Sequence, residues 1–203
     1  MKLLKQSYEI LSFPTDLEQL IEIAGRTCYQ SQDKITDSSS IRFCNKMVES
    51  GHHAMIEFGN IIVRFITNRG VTHELVRHRL CSFAQESTRY VKYGKDMEFI
   101  EPVWWKITGE VTRDTFKNSL RYSCDTYCRL IDFGWKPQEA REVLPNALKT
   151  EIVVNANVRE WRHILTLRCA KTAHPQMRAL MIPLLEEFTD MWPGLFMGIK
   201  LNY

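Results

Sequence analysis

The segment from Arg77 to Tyr90 combines residue types that bind phosphates and flat rings. It reads RHRLCSFAQESTRY, with Arg77, His78 and Arg79 together and a third arginine at Arg89. Arginine offers planar, bidentate donors suited to phosphate and to heterocycles. Serine and glutamine can orient the carbonyl and phosphate oxygens of a ligand. The segment predicts a polyanionic ligand with ring systems, such as a nucleotide or dinucleotide; a basic helix end favoured by the helix dipole is the alternative.

A second group of polar and cationic side chains begins at Asn157. Asn157 with Glu160 is typical of the cap pair that opens a helix. On that helix Arg159 and His163 share a face. Arg168 continues the apolar side of the same helix, so its guanidinium is expected to enter a cleft or an interface. A purely structural arginine is the alternative.

Histidines in two places raise the question of a metal site. His52-His53 lies at a predicted helix-to-strand junction and offers either metal ligands or one buried and one exposed imidazole. His73-Glu74 and His78 resemble the zinc motif HExxH with one residue too many. Histidines at i,i+5 lie about 140° apart around a helix and cannot share a metal without distortion. We therefore predict no metal ligands.

Composition argues against two other classes of protein. The 203 residues carry 27 basic and 24 acidic side chains, a balance that does not suit a nucleic-acid-binding module with clustered Lys and Arg. No apolar run approaches the ~20 residues that span a bilayer, and the N-terminus lacks the apolar core of a signal peptide. We predict a cytoplasmic protein with one domain, residues 1–203, and with no nucleic-acid or membrane partner. Its six cysteines are expected to be free thiols.

Hydrophobic periodicity and turn residues predict the elements that position these side chains. Strands are expected at 2–11, 56–67 and 151–156, and helices at 17–24, 40–50, 71–79, 111–133, 137–143, 157–168 and 175–191. Thr15 and Glu18 are predicted to form a capping box for the first helix. The polar stretch 82–89 is predicted to be a loop. The Met-rich face of the last helix is expected to be core or a subunit interface.

Four separated segments together resemble the flavin-dependent thymidylate synthases. Arg77-His78-Arg79, followed after seven residues by Ser87, matches the RHRx7S signature of that family. His52 and Glu57 sit where the family has H-x-x-x-x-E before a strand. The remaining similarities are of 141–145 to A-R-x-x-L-P, of 157–159 to N-x-R and of 165–168 to L-x-x-R.

The resemblance implies an α+β fold, with helices packed around a largely antiparallel sheet. It implies a homotetramer whose active sites are shared between chains. It also implies FAD as cofactor, with dUMP, 5,10-methylenetetrahydrofolate and NADPH as substrates. The implied reaction is the reductive methylation of dUMP to dTMP, in which reduced FAD supplies a hydride and the protein supplies positioning and charge stabilisation.

The resemblance also implies roles for individual residues. Those implied to bind FAD are Ala54, Arg77, His78, Arg79, Gln85, Asn157, Val158, Arg159 and His163. Those implied to bind dUMP are Glu74, Arg77, Gln85, Glu86, Ser87, Thr88, Arg89, Arg141 and Arg168. Ser87 and Arg89 are expected at the phosphate, and Arg168 at the uracil ring, where it would favour ionisation of N3. His52 is implied near the flavin and the folate, as a second catalytic residue.

Some positions depart from the family pattern. Ala54 stands where a Thr or Ser hydroxyl commonly helps to hold FAD, so only a backbone contact is expected there. Cys28 occupies a usual Ser position, and residues 173–177 replace a common A-Q-W-E-I stretch. Ser87 could be a nucleophile, but no general base stands beside it in sequence. We therefore favour phosphate binding for Ser87.

Overall fold

A computed structural model describes residues 1–199 of the chain and shows helices combined with a sheet. Within these residues the helices are α1 (Leu17–Thr27), α2 (Ser39–Glu49), α3 (Arg69–Leu75), α4 (Glu110–Asp132), α5 (Pro137–Ala140), α6 (Val158–Arg168), α7 (Pro175–Met191) and α8 (Pro193–Phe196). The strands are β1 (Lys2–Leu4), β2 (Ser7–Ser12), β3 (Asn60–Asn68), β4 (Ser82–Gln85), β5 (Glu98–Ile100) and β6 (Lys149–Asn157). Single 3₁₀ turns cover Gln32–Lys34, His53–Glu57, Trp105–Ile107 and Arg141–Val143.

Four of the strands form an antiparallel sheet in the order β2-β3-β6-β4. β1 pairs in parallel with β5, Leu3 lying opposite Phe99. Along β3 and β6 buried side chains alternate with half-buried ones, because successive residues of a strand point to opposite faces. The predicted α+β class with a largely antiparallel sheet is confirmed.

The chain forms two compact units, each assembled from separate stretches. The first unit comprises Met1–Ser7, Phe65–Arg77 and Ala84–Ile152, and the second comprises Tyr8–Arg64, His78–Phe83 and residues 153–199. The prediction of one domain stays a prediction, and its last four positions, 200–203, lie outside the described residues. Within residues 1–199, no helix is both long enough and apolar enough to cross a bilayer.

The core of the first unit is built around α4. Leu120, Cys124 and Tyr127 recur at helical spacing and are buried, which is the pattern of an amphipathic helix. They belong to a cluster with Met97, Phe99, Ala140 and Leu148. The predicted helix at 111–133 is confirmed, to within one residue at each end.

The core of the second unit is aromatic and is organised by α7. The Phe188 ring lies 5.6 Å from that of Trp161, 5.3 Å from that of Trp192 and 4.9 Å from that of Phe196, between centroids. Met177 and Met181 are fully buried on the same helix. The Met-rich face of α7 is therefore core within the chain, which was one of its two predicted roles.

Two strands end in an asparagine that caps the next helix. Asn68 closes β3, and its Oδ1 accepts a hydrogen bond from the Val71 amide at 2.8 Å. Asn157 closes β6, and its Oδ1 accepts from the Glu160 amide at 2.9 Å. Each cap satisfies an amide that the first helical turn leaves without an intrahelical partner. The predicted cap at Asn157 is confirmed.

Several predicted elements differ from the structure. The first strand is two strands, β1 and β2, and the helix predicted at 71–79 ends at Leu75. The capping box of Thr15 with Glu18 is wrong, because Asp16 is the N-cap and Glu18 is buried, accepting from the Gly194 amide at 2.8 Å. The stretch 82–89 is wrong as a loop in its first half, since β4 runs through Ser82–Gln85. The prediction of free thiols at all six cysteines is confirmed.

Candidate functional site

Gln85, the last residue of β4, is a predicted ligand-binding residue in the first unit. Its amide Nε2 lies 2.9 Å from Thr72 Oγ1 and 3.4 Å from Thr150 Oγ1. The Gln85 side chain is half-buried, and these two hydroxyls fix its orientation. Because the amide nitrogen is engaged inside the protein, we expect the amide oxygen to be the atom that meets a ligand.

Glu86 is held by a network that the sequence did not reveal. Its carboxylate accepts a hydrogen bond from the Tyr93 hydroxyl and lies 3.6 Å from Lys149 Nζ. Its backbone oxygen accepts from Arg69 Nη2 at 2.7 Å, and its amide donates to the Glu151 carbonyl at 2.9 Å. Burial and the Glu86 carboxylate raise the pKa of Tyr93, so Tyr93 stays a neutral hydrogen-bond donor. These contacts fix the backbone from which Ser87 follows.

Two guanidinium groups and two hydroxyls lie in the loop after Glu86 and directly after α5. They belong to Ser87, Thr88, Arg89 and Arg141. Arg141 Nη1 donates to Thr88 Oγ1 at 3.4 Å. Arg89 Nε donates to Gln138 Oε1 at 3.1 Å, and Ser87 Oγ accepts from the Arg89 amide at 3.3 Å. Arginine forks and hydroxyl donors are the groups that recognise a phosphate. These four predicted residues therefore carry side chains of the kind that bind a phosphate, and all four lie in the first unit.

Glu74 and Arg77 lie at the end of α3. Glu74 belongs to the helix, and the Arg77 amide donates to the Glu74 carbonyl at 3.3 Å. The Glu74 side chain is half-buried and that of Arg77 is exposed. The Asn68 cap sets where α3 begins and so where these two side chains stand.

The second unit contains a buried group centred on His78. Arg168 Nε donates to His78 Nε2 at 2.9 Å. On the other side of the ring, His78 Nδ1 lies 3.5 Å from Glu160 Oε1. The His163 ring packs edge-on against His78, with centroids 5.6 Å apart. Two segments widely separated in sequence, at 78 and at 160–168, thus meet at one imidazole.

The protonation of His78 follows from these contacts. Burial, together with the charge of Arg168 and the neighbouring His163, lowers the pKa of His78 from 6.5 to about 4. The ring is therefore neutral at pH 7 and carries one proton. Arginine is always protonated, so its Nε–H donates and His78 Nε2 must accept. The proton of His78 is assigned to Nδ1, which faces Glu160.

Side-chain atoms of His78, Glu160 and His163 that could ligate a metal all lie within 4.8 Å of one another, which raises the question of a metal site. The hydrogen bond from Arg168 occupies Nε2 of His78, and the proton sits on Nδ1, so the neutral ring offers no lone pair. Arg168 also adds a positive charge to the group. The arrangement suits a hydrogen-bonded chain better than a cation site. The zinc pairing of His73 with His78 is not the grouping found here.

The remaining predicted residues of α6 are placed by its first turn. Arg159 Nη1 lies 2.5 Å from Glu57 Oε1 in an exposed ion pair. The Val158 side chain is buried, and its amide donates to the Gly59 carbonyl at 3.2 Å. Arg79 is exposed, three residues ahead of β4. The structure thus joins Glu57, from the histidine-containing segment, to a residue of the N-x-R segment.

His52 and Ala54 line a cavity of about 930 Å³ in the second unit. Its basic side chains are Arg26, Lys34, Arg42 and Lys46, and no residue described on its wall is acidic. The Phe43 ring also lines it, 5.1 Å from Arg26 Cζ. His52 is exposed and His53 half-buried, as expected for one accessible and one packed imidazole. The wall suits an anionic ligand that carries flat rings.

Sequence reasoning missed the side chains that hold the predicted residues in place. Arg69, Tyr93 and Lys149 were not singled out, and Glu160 was predicted only as the partner of a helix cap. Each makes a contact with a residue distant in sequence, Glu160 with His78 for example. No local spacing reports such a contact. The single available signal was that Glu160 lies one helical turn before His163.

Most of the chain is similar to proteins of a known family. Residues 9–194 match the family model described as thymidylate synthase complementing protein. The flavin-dependent thymidylate synthase of Geobacter sulfurreducens is 32% identical over 195 residues, covering 92% of this chain and 84% of the relative. The protein of the same name from Mycobacterium marinum is 33% identical over 204 residues, covering 91% and 80%. Among solved structures, a UMP/dUMP methylase from Streptomyces cacaoi bound with 5-Br dUMP has a TM-score of 0.79 at 22% identity, covering 97% of this chain and 95% of that one, and this likeness shows the fold.

Proposed function

The chain belongs to the flavin-dependent thymidylate synthases, and from this premise we propose that it methylates dUMP to dTMP. 5,10-Methylenetetrahydrofolate supplies the one-carbon unit and NADPH supplies the reducing equivalents, leaving tetrahydrofolate and NADP⁺. The observation that carries the proposal is the 2.9 Å hydrogen bond from Arg168 to His78. It joins two segments of the family signature that are far apart in sequence.

The chain's donor chemistry fits FAD. The cavity beside His52 and Ala54 offers cationic side chains for a pyrophosphate and an aromatic wall for a ring. We propose that Ala54, through its backbone, and Arg77, Arg79, Gln85, Asn157, Val158, Arg159 and His163 hold the cofactor. We propose that His78 belongs to the same cofactor site, where both of its ring nitrogens already have partners within the chain. FAD held by these residues would, once reduced, supply hydride chemistry to the site.

The residues proposed to bind dUMP fall into two groups, one that binds its phosphate and one that binds its nucleoside. Ser87, Thr88, Arg89 and Arg141 supply hydroxyls and guanidinium forks for the phosphate. Glu74, Arg77, Gln85 and Glu86 fix the nucleoside, the last two held by their own internal hydrogen bonds. Arg168 meets the uracil ring and stabilises the negative charge that develops there, as an oxyanion-hole donor does. His52 assists one-carbon transfer at the folate.

Assembly and location complete the proposal. We propose a homotetramer with active sites built from more than one chain, acting in the cytoplasm. Several large apolar side chains are exposed in the single chain, which supports subunit contacts. Those most exposed are Tyr29, Leu80, Tyr90, Ile107, Val111, Tyr122 and Phe133.

The visible spectrum of the purified protein tests the cofactor assignment. The protein is expected to be yellow, or to become yellow when FAD is added. Arg159→Ala should weaken FAD binding, measured by flavin fluorescence. Arg64→Ala is the matched control, because Arg64 makes a similar 2.5 Å ion pair with Glu9 in the same unit and is not one of the proposed cofactor residues. A colourless protein that ignores FAD but carries stoichiometric zinc would support a hydrolase instead.

A further inference from the structure

Glu160 is a buried carboxylate with no role in the proposed reaction. Its side chain is only 7% exposed. Burying a charged carboxylate costs free energy unless a partner stabilises it. Burial also raises the pKa of Glu160, with His163 and Arg159 acting in the opposite direction. The ring of His78, with Nδ1 at 3.5 Å, is its partner on the side away from Arg168.

We propose that Glu160 is a positioning residue that acts through His78 to hold Arg168 in its working orientation. The proposal rests on the proposed function, in which Arg168 meets the uracil. The Glu160 carboxylate, 3.5 Å from Nδ1, favours the tautomer of His78 with its proton on Nδ1, which leaves Nε2 without a proton. Nε2 then accepts the Arg168 Nε–H at 2.9 Å. With Nε fixed in this way, the plane of the Arg168 guanidinium is oriented for the substrate.

The arrangement has a clear energetic logic. A free arginine side chain has rotamer entropy, part of which it must give up when it binds a substrate. A hydrogen bond to a neutral, oriented imidazole fixes part of the side chain before the substrate arrives. If His78 carried its proton on Nε2, that proton would point at the Arg168 Nε–H, and the two donors would repel. The carboxylate of Glu160 excludes this tautomer.

Two variants separate positioning from general stability. Glu160→Gln keeps a carbonyl acceptor for the Nδ1 proton, whereas Glu160→Leu removes it at similar volume. We expect Glu160→Leu to lower kcat roughly tenfold to hundredfold, by analogy with the loss of a hydrogen-bond partner behind a metal-bound histidine. The KM for dUMP should change little, and Glu160→Gln should recover most of kcat. Glu18→Gln, at another buried carboxylate of the same unit, is the control and should leave kcat unchanged.

The tautomer of His78 gives a readout that does not depend on activity. Proteins labelled with ¹⁵N at histidine should show His78 protonated on Nδ1 in the wild type and in Glu160→Gln, and a mixture of tautomers in Glu160→Leu. An Nε2-protonated or cationic His78 in the wild type at pH 7.5 would overturn the proposal, even if Glu160→Leu fails to fold. So would equal losses of kcat in both variants, or an unchanged kcat in Glu160→Leu. Absence of dTMP formation by the wild type would instead refute the proposed function, while the tautomer still tests the contact.

Discussion

Arg168 and Arg89 differ in what their side chains contact. Arg168 is part-buried and bonded to a neutral imidazole, whereas Arg89 is exposed and bonded to the Gln138 amide oxygen. In the proposed reaction Arg168 meets the base, whose charge changes during the reaction. Arg89 meets the phosphate, whose charge is the same in ground and transition states. The two arginines should therefore respond differently to removal.

Arg168→Ala should lower turnover even at saturating dUMP, and Arg89→Ala should be rescued by more dUMP. Removing a stabiliser of transition-state charge costs on the order of 3 kcal/mol, or about a hundredfold in rate. Loss of uniform binding raises KM and spares kcat. Initial rates of dTMP formation over a range of dUMP concentrations measure both effects. Equal rescue of the two variants would remove the catalytic role of Arg168.

His78 should make the folded protein sensitive to acid. Its pKa is 6.5 in the unfolded chain and about 4 in the folded one, so between these values the unfolded chain binds a proton that the folded chain does not. Acidification from pH 6.5 to pH 4 therefore lowers the free energy of unfolding, by roughly 1–3 kcal/mol from His78. Among the groups that face His78, Arg168 stays charged, while Glu160 has a raised pKa and acts in the opposite direction.

Urea unfolding of the wild type and of His78→Gln at several pH values isolates this contribution. The wild type should lose more stability than the variant as the pH falls through that window. Parallel pH profiles for the two proteins would show that His78 titrates normally and is not held neutral by its surroundings.

At the scale of elements, close packing of α8 against α2 gives a sharp test of the second unit. A Cβ placed on Gly194 would lie 2.4 Å from the Ile41 backbone oxygen and 2.9 Å from Glu18 Oε1. Backbone cannot move aside cheaply, so Gly194→Ala should destabilise the protein by about 1–3 kcal/mol. Gly109→Ala is the control, since nothing lies within 4 Å of its added Cβ. Thermal unfolding should show a lower Tm for Gly194→Ala alone; similar Tm values for both variants would contradict this packing.

The sequence predicted the secondary-structure elements that are determined by residues close together in the chain. The cap at Asn157, Pro137 at the first turn of α5 and the apolar periodicity of α4 are all read within a few residues, and each is present. β4 was missed because Ser82–Gln85 has no apolar alternation. Its strand conformation comes from pairing with β6, a strand far along the chain. Pairing of this kind leaves no local signal.

The candidate site follows the same division. The family motifs predicted which side chains belong to the site. The hydrogen bond from Arg168 to His78 joins two of these motifs, which is consistent with a shared site. They did not predict what holds those side chains. Glu160, Arg69 and Lys149 contact residues that are far away in sequence. Glu18 does not form the predicted cap and instead accepts a hydrogen bond from the Gly194 amide.

At the scale of the whole molecule, the oligomeric state is the property that the structure of a single chain indicates least. We predict a homotetramer of the 23.9 kDa chain, on the basis of the family and of the exposed apolar side chains. The Met-rich face of α7 does not support this prediction, because its methionines are core. Analytical ultracentrifugation of the active enzyme should find four chains per particle. A stable monomer with full activity would contradict the tetramer.

Formation of dTMP is the most direct test of the account's central claim. Purified protein, freed of bound FAD, should be incubated with dUMP, 5,10-methylenetetrahydrofolate, NADPH and FAD, with each component omitted in turn, and NADPH oxidation should be measured separately. We predict that dTMP and tetrahydrofolate accumulate in equal amounts and only in the complete mixture. Formation of dTMP by FAD-free protein, or NADPH oxidation by FAD-loaded protein without any dTMP, would contradict the assignment as a flavin-dependent thymidylate synthase.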